Sequence, residues 1–175
     1  NKSMILQHGL LDGGWTWLVL GQKSLAYVLA NQGYTVYLSY IRGTQFSKSH
    51  LDYNSINPNS PYWDFSFQEM AEYDLPALIE MIKKRDGVQK VDYAGHSQGT
   101  MMFFLAYMNN PSYLEENISH YIALATVPNI NNASQTLIKL FSELKILDLI
   151  PFNNIANFPT DVGKIITNFC GGNGE

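Results

Sequence analysis

The chain has 175 residues, a length that fits one domain or most of one. Hydrophobic residues make up 46% and aromatic residues 13%, enough for a real core, while charged residues fall to 15% against a typical share of about 25%. A net charge of −4 and a pI near 5.5 leave no basic stripe, which argues against a nucleic-acid partner, and no apolar run reaches the roughly 18 residues of a membrane span.

Met4-Ile5-Leu6 reads as a short strand that stops at His8-Gly9, and "LDGGW" from Leu11 to Trp15 reads as a glycine-bearing loop. Leu25, Val28 and Leu29 fall at helical spacing, with Gly33 where a C-terminal cap belongs. The aromatic and β-branched run from Tyr34 to Tyr40 predicts a strand. A polar loop follows from Arg42 to Pro61. Ser66 and Glu69 form a capping-box pair. Met70, Tyr73, Ala77, Leu78 and Met81 then mark one face of a helix ending near Arg85, with Pro76 inside it as an expected kink.

"VDYAGH" predicts the next strand, and the segment after Ser97 is so apolar, from Met101 to Met108, that a helix buried on all sides is expected. Pro111 ends it, and Tyr121 to Pro128 predicts one more strand. The alternation of strands and helices argues for a mostly parallel sheet with helices on both faces. After Pro128 the rhythm breaks: Leu137, Leu140, Phe141, Leu144 and Leu147 trace an amphipathic helix with no strand behind it. Packing on the core and an apolar lid face toward lipid both fit its periodicity. The alternation of strands and helices thus covers 1–128 and gives way to a different pattern over 129–175.

The chemistry centres on Gly95-His96-Ser97-Gln98-Gly99, a Gly-x-Ser-x-Gly pattern at a strand-to-helix junction. Such a turn sets the serine at the tip of the sheet in a strained conformation and needs glycine on both sides, where side chains would collide. Ser97 is the candidate nucleophile. The N–H of Gln98 lies at the start of the following helix, and the N–H of Leu10 lies in the loop after the first strand; together they are the candidate oxyanion donors. His8 is expected to hold that loop by a hydrogen bond. His96 shares the tight turn but points elsewhere, and neither His50 nor His120 stands where a general base belongs. In this fold class the order is nucleophile, acid, histidine, yet no histidine follows His120. The lone cysteine, Cys170, excludes an internal disulfide, and no zinc-type spacing is present, so neither metal nor cofactor is expected.

Five motifs in order, "LQHGLL", "RG" at Arg42-Gly43, "FSFQEMAEYDLPA", "GHSQGT" and "YIALATVP", resemble those of the acid lipases, the gastric and lysosomal enzymes of the α/β-hydrolase superfamily. Thr44 stands where that family leads one to expect Asn. The resemblance implies Ser97 as nucleophile, with Leu10 and Gln98 as oxyanion hole. It also implies a lipid ester substrate at a lipid–water interface: triacylglycerols, and steryl esters as well. It implies a partial α/β-hydrolase core over 1–128 and the start of a helical cap over 129–175, to which Cys170 belongs, and a secreted or lysosomal setting.

By the same resemblance this chain is the central part of a longer enzyme. It opens without an initiator Met or signal-like segment, and the acid and base of the triad lie beyond Glu175, so the isolated 175 residues are expected to be inactive. Asn1-Lys2-Ser3, Asn117-Ile118-Ser119 and Asn132-Ala133-Ser134 fit the glycosylation acceptor pattern. A thioesterase or acyltransferase on the same fold remains open, as does a non-catalytic relative that binds lipid or protein. The oligomeric state is not legible.

Overall fold

Four runs become four strands: β1 (Lys2–Gln7), β2 (Tyr34–Leu38), β3 (Val91–His96) and β4 (Ile118–Leu124), of which β2 is the richest in β-branched and aromatic residues. They form one parallel sheet in the order β2-β1-β3-β4. The computed structural model describes residues 2–57 and 59–128, all within the first of two units into which the chain divides, Asn1–Ala133. The amphipathic segment 137–147, Cys170, Asn1, Asn132 and the expected cap over 129–175 lie outside the described residues.

Side-chain alternation buries the sheet on both faces. On one face Ile5, Val91 and Tyr93 pack with Leu75, Ile79, Ile82, Met102 and Phe103. On the other, Met4, Leu6 and Ala94 pack with Trp17 and Ala26. The second layer comes from α1 (Leu25–Asn31), which Gly33 follows in the left-handed conformation at φ 86°. Helices therefore cover both faces, as the alternation predicts.

The capping box forms as read from the sequence. Ser66 accepts a hydrogen bond from the Gln68 N–H at 3.0 Å, and Glu69 accepts from the Ser66 N–H. The short α2 (Phe67–Glu69) it opens passes through a π-helical turn, Met70–Asp74, into α3 (Leu75–Asp86). Pro76 accounts for the interruption. Its ring removes an N–H and crowds the carbonyl four residues back, and the wider turn just ahead relieves both. Gly87, at φ 65°, ends α3 with its N–H on the Lys83 carbonyl at 3.0 Å.

The later elements depart from expectation in three ways. The helix α4 (Gln98–Asn109) buries Met102, Phe103 and Ala106, but Tyr107 and Met108 face outward, so it is covered on one side only. A further helix, α5 (Pro111–Asn117), follows; Pro111 ends α4 by starting α5, with the Asn110 side chain accepting from the Tyr113 N–H at 3.1 Å. The last strand then begins at Ile118 rather than Tyr121 and stops at Leu124 rather than Pro128. Asn117 is buried, its amide donating to the Tyr113 carbonyl at 2.7 Å and its oxygen accepting from Lys83. The folded chain does not offer that nitrogen to a glycan.

The connection from β1 leads to β2 on one side, and the next strand, β3, lies on the other side of β1. That reversal opens a crevice at the carboxyl ends of β1 and β3, where ligands bind in open α/β sheets. The one-sided burial of α4 is directly testable by urea denaturation. Met102→Ala is expected to lose about 2–5 kcal/mol of stability, and Met108→Ala to stay within about 0.5 kcal/mol of the parent.

Candidate active site

Both loops flanking the crevice carry the residues singled out by sequence. β3 ends at His96, α4 begins at Gln98, and Ser97 between them has φ 50° and ψ −112°. A non-glycine residue held there stores about 1–3 kcal/mol of strain, and its surroundings must over-determine it. They do. The Ser97 N–H donates to the Leu124 carbonyl at 3.0 Å. The Ser97 carbonyl accepts from the Thr100 N–H at 2.9 Å and the Thr100 hydroxyl at 2.7 Å. The same hydroxyl accepts from the Val127 N–H at 2.9 Å, tying the turn to the chain after β4.

Two glycines make the turn possible. A Cβ on Gly95 would stand 2.7 Å from the Gly99 carbonyl carbon and 2.9 Å from the Thr100 nitrogen. A Cβ on Gly99 would stand 2.9 Å from the Gln7 carbonyl oxygen and 3.1 Å from that of His8. These are backbone atoms, which cannot swing away. Tyr93, fully buried in β3, donates its hydroxyl to the Gly99 carbonyl at 2.8 Å and steadies the first turn of α4 from below.

The β1 loop approaches from the other side. A Cβ on Gly9 would meet the Ser97 Cβ at 3.2 Å and His96 Nδ1 at 3.1 Å, so the Gly9 backbone packs directly on the serine side chain. Leu10 comes next, with its side chain exposed, and Leu11 turns the chain at φ 59°. Among the described residues the Leu10 N–H has no hydrogen-bond partner. The N–H groups of Gln98 and Gly99 are the first of α4 and have no carbonyl within the helix to meet. The structure thus brings Ser97, Gln98 and the Gly9–Leu10 segment to one place, at the positive end of a helix.

The histidines divide clearly. His8 is buried, with Nδ1 2.8 Å from the Gly9 carbonyl oxygen. A carbonyl only accepts, so Nδ1 carries the proton. Nε2 is sealed from solvent and without a partner among the described residues. Burial holds the His8 pKa below its ordinary 6.5, against the opposing pull of the Gly9 bond and of Asp12. His50 accepts from the Asp52 and Tyr53 N–H groups at 3.0 and 3.1 Å. His120 pairs with Asp92 at 2.8 Å, but Asp92 lies five residues before Ser97 along β3, roughly 16 Å away at about 3.3 Å per residue. An Asp–His pair therefore exists, at the wrong end of the strand.

Sequence reading missed the groups that hold the site from behind. Ser39 donates to Gln7 Oε1 at 2.7 Å, with both residues buried. Arg42 grips Asp74 with Nε at 2.8 Å, Nη2 at 2.6 Å and its own backbone N–H at 3.1 Å, and lies over the rings of Phe65 and Tyr73. This clamp joins the loop after β2 to the start of α3. Both residues stood inside quoted motifs, but nothing in their spacing shows that they meet. Among the described residues no group of three metal-ligating side chains occurs, and no helix is long and apolar enough to cross a membrane.

The parallel sheet, its crevice and the serine turn define a hydrolase-type α/β scaffold, and the comparisons agree. The chain belongs to the alpha/beta hydrolase fold family, whose sequence profile it matches over residues 2–155. Within that family sequence similarity places it with the acid lipases. It is 43% identical over 139 residues to gastric triacylglycerol lipase of Bos taurus, covering 78% of this chain and 34% of that one. It is 41% identical over 140 residues to lipase member K of Homo sapiens, covering 79% and 34%. To a Crotalus adamanteus protein described as a lysosomal acid lipase/cholesteryl ester hydrolase it is 34% identical over 172 residues, covering 97% and 42%.

The chain therefore spans 34% to 42% of the length of these relatives. Among solved structures it is similar to a Mycobacterium tuberculosis protein described as a non-heme bromoperoxidase, with TM-score 0.60 and 21% identity over 85% of this chain and 46% of that one. It is also similar to an extracellular α/β-hydrolase of a Paenibacillus species, with TM-score 0.55 and 16% identity over 85% and 52%. These two likenesses concern the fold alone.

Two outcomes test the geometry. Gly99→Ala drives a Cβ into the carbonyls of β1, and we expect a loss of about 1–3 kcal/mol, read as a lower melting temperature. The second concerns pH. The folded-state pKa of His8 lies below the unfolded 6.5, so the stability that depends on a neutral ring is complete above that value and is lost as pH falls toward the lowered one. Between about pH 7.5 and about pH 5 the parent should lose more in melting temperature than His8→Asn, which has no proton to gain.

Proposed function

We propose that this chain carries the nucleophile and oxyanion half of a serine ester hydrolase that cleaves lipid esters, triacylglycerols and steryl esters, at a lipid–water interface. One observation carries the reading: a serine at φ 50° on a strand-to-helix turn, with the Gly9 backbone packed against its side chain at the sheet's crevice. The names of the relatives, triacylglycerol lipase and cholesteryl ester hydrolase, supply the substrate class. They also support a secreted or lysosomal setting. In this reading residues 1–128 form part of the core and 129–175 open the cap.

Ser97 Oγ attacks the ester carbonyl carbon while a general base takes its proton. The Leu10 and Gln98 N–H groups receive the charge that develops on the carbonyl oxygen. The tetrahedral intermediate collapses to an acyl-Ser97 ester as the base returns its proton to the leaving oxygen and the neutral alcohol departs. Water, giving a proton to the base, then attacks the acyl carbon, and that proton returns to Ser97 Oγ as the fatty acid is released. No described histidine is placed to serve as the base. In this reading the base and its acid come from the portion of the relatives' length that these residues do not span.

The test uses the protein at its natural length. Ser97→Ala should lower hydrolysis of emulsified triacylglycerol by several powers of ten. A phosphonate ester should label the parent at Ser97 and leave the variant unlabelled. Undiminished hydrolysis by Ser97→Ala removes the serine from the mechanism. Transfer of the acyl group to an added alcohol in preference to water makes the protein an acyltransferase instead.

A further inference from the structure

We infer that His8 is a positioning residue for the oxyanion hole: by holding the Gly9 carbonyl inward, it turns the Leu10 N–H outward, toward the serine. The inference rests on the ester-hydrolase reading and adds a residue to it.

The bond between Gly9 and Leu10 is trans, so its C=O and N–H point in opposite directions from one plane. Fixing one end fixes the other. His8 Nδ1 holds the carbonyl at 2.8 Å from a ring that is only 1% exposed, so the oxygen points into the protein. The N–H of Leu10 must then point away from that ring. Gly9 packs on Ser97, and the Leu10 N–H meets no partner among the described residues.

The need for such a clamp follows from the glycine. Glycine suits position 9, because a Cβ there would stand 3.2 Å from the Ser97 Cβ and 3.1 Å from His96 Nδ1, closer than ordinary van der Waals contact. Glycine is also the residue least able to hold one backbone conformation. A rotation of the Gly9–Leu10 peptide would bring the carbonyl oxygen to the site and bury the N–H, replacing a donor with a dipole that repels an oxyanion. Leu11, held at φ 59°, adds strain next door that such a rotation could release. The residue that must be small for the serine therefore needs a neighbour to hold it still.

His8 suits this work and little else. Nδ1 bears a proton whether the ring is neutral or charged, so the bond to Gly9 survives titration of the ring. Nε2 is sealed and has no partner among the described residues, which removes His8 as a base for Ser97. The groups facing it are the Tyr40 ring, 6.2 Å away between centroids, and the Asp12 carboxylate.

The experiment measures soluble-ester hydrolysis by the protein at its natural length, with an ester and its thionoester, whose sulfur fits such a hole poorly. Losing one correctly aimed donor should cost about 10²–10³-fold in kcat. His8→Leu is expected to show that loss with KM unchanged and with a reduced preference for ester over thionoester. His8→Asn, whose amide N–H falls near the Nδ1 position, should recover most of kcat. His8→Gln, which reaches the Nε2 position instead, should not.

The inference is overturned if His8→Leu keeps its kcat, or if it loses kcat while the ester-to-thionoester ratio stays put. Should His8→Leu not fold, the Asn and Gln variants decide: equal activity in the two sinks the idea. Full hydrolysis by Ser97→Ala would instead bring down the hydrolase reading itself. Inactive Ser97→Ala beside a fully active His8→Leu removes only the role of His8.

Discussion

Between the loop after β1 and the first turn of α4 there is no room for a side chain. Gly99 lies against the carbonyls of Gln7 and His8, Gly95 against the backbone of Gly99 and Thr100, and Gly9 against the Cβ of Ser97. This three-way contact sets much of what surrounds it. It forces Ser97 into a conformation that other residues avoid, so hydrogen bonds from Leu124, Thr100 and Val127 must hold the turn on both sides. It places the loop after β1 within reach of the serine. It also explains a buried polar layer beneath an otherwise apolar sheet, since a backbone packed this tightly must have its polar groups answered locally.

The polar layer works as bracing. Gln7 and Ser39 join the ends of β1 and β2, Tyr93 supports Gly99 from β3, and Arg42 reaches across to Asp74 at the head of α3. Each bond links a segment that ends at the crevice to a different element. The Arg42–Asp74 pair is part-buried: two guanidinium N–H groups converge on Asp74 Oδ1, and the Arg42 backbone N–H takes Oδ2. In such a setting the geometry counts for more than the Coulomb energy, because removing one partner leaves the other charge with its hydration only partly restored. Placing the bracing around the crevice adds polar ties to the apolar packing that Met102 and Phe103 already give the strained turn from one side of α4.

Most of the fold could be read from the chain because its signals are local. Alternation of strands and helices gave the parallel sheet, the Ser66–Glu69 pair gave the start of α2, and Gly33 gave the end of α1. The serine turn was legible for the same reason: two glycines around one serine at a strand-to-helix junction describe a steric requirement, not only a pattern. What was illegible depended on partners distant in sequence. The exposure of Tyr107 and Met108 cannot be seen in an all-apolar run, because hydrophobicity states what a residue tolerates and not what covers it. The short α5 hid behind Pro111, which ends one helix and begins another with equal ease. Thr100, Ser39 and the Arg42–Asp74 pair became visible only when the sheet brought them together.

The two halves of the chemistry differ in how they are built. A nucleophile and its oxyanion donors must sit within hydrogen-bond reach of one carbonyl, and the groups proposed for those roles follow two adjacent strands, β1 and β3, whose loops touch. That half is specified by backbone: a turn, the start of a helix, and one peptide plane. A base and its acid are side chains, which can reach the serine from any element that passes the crevice. His120 and Asp92 show that merely owning such a pair is not enough, for they meet across β3 and β4 at the far end of the sheet. Sheet position therefore separates a histidine that stiffens the fold from one that serves the reaction, and it does so more sharply than residue type or hydrogen-bond partner.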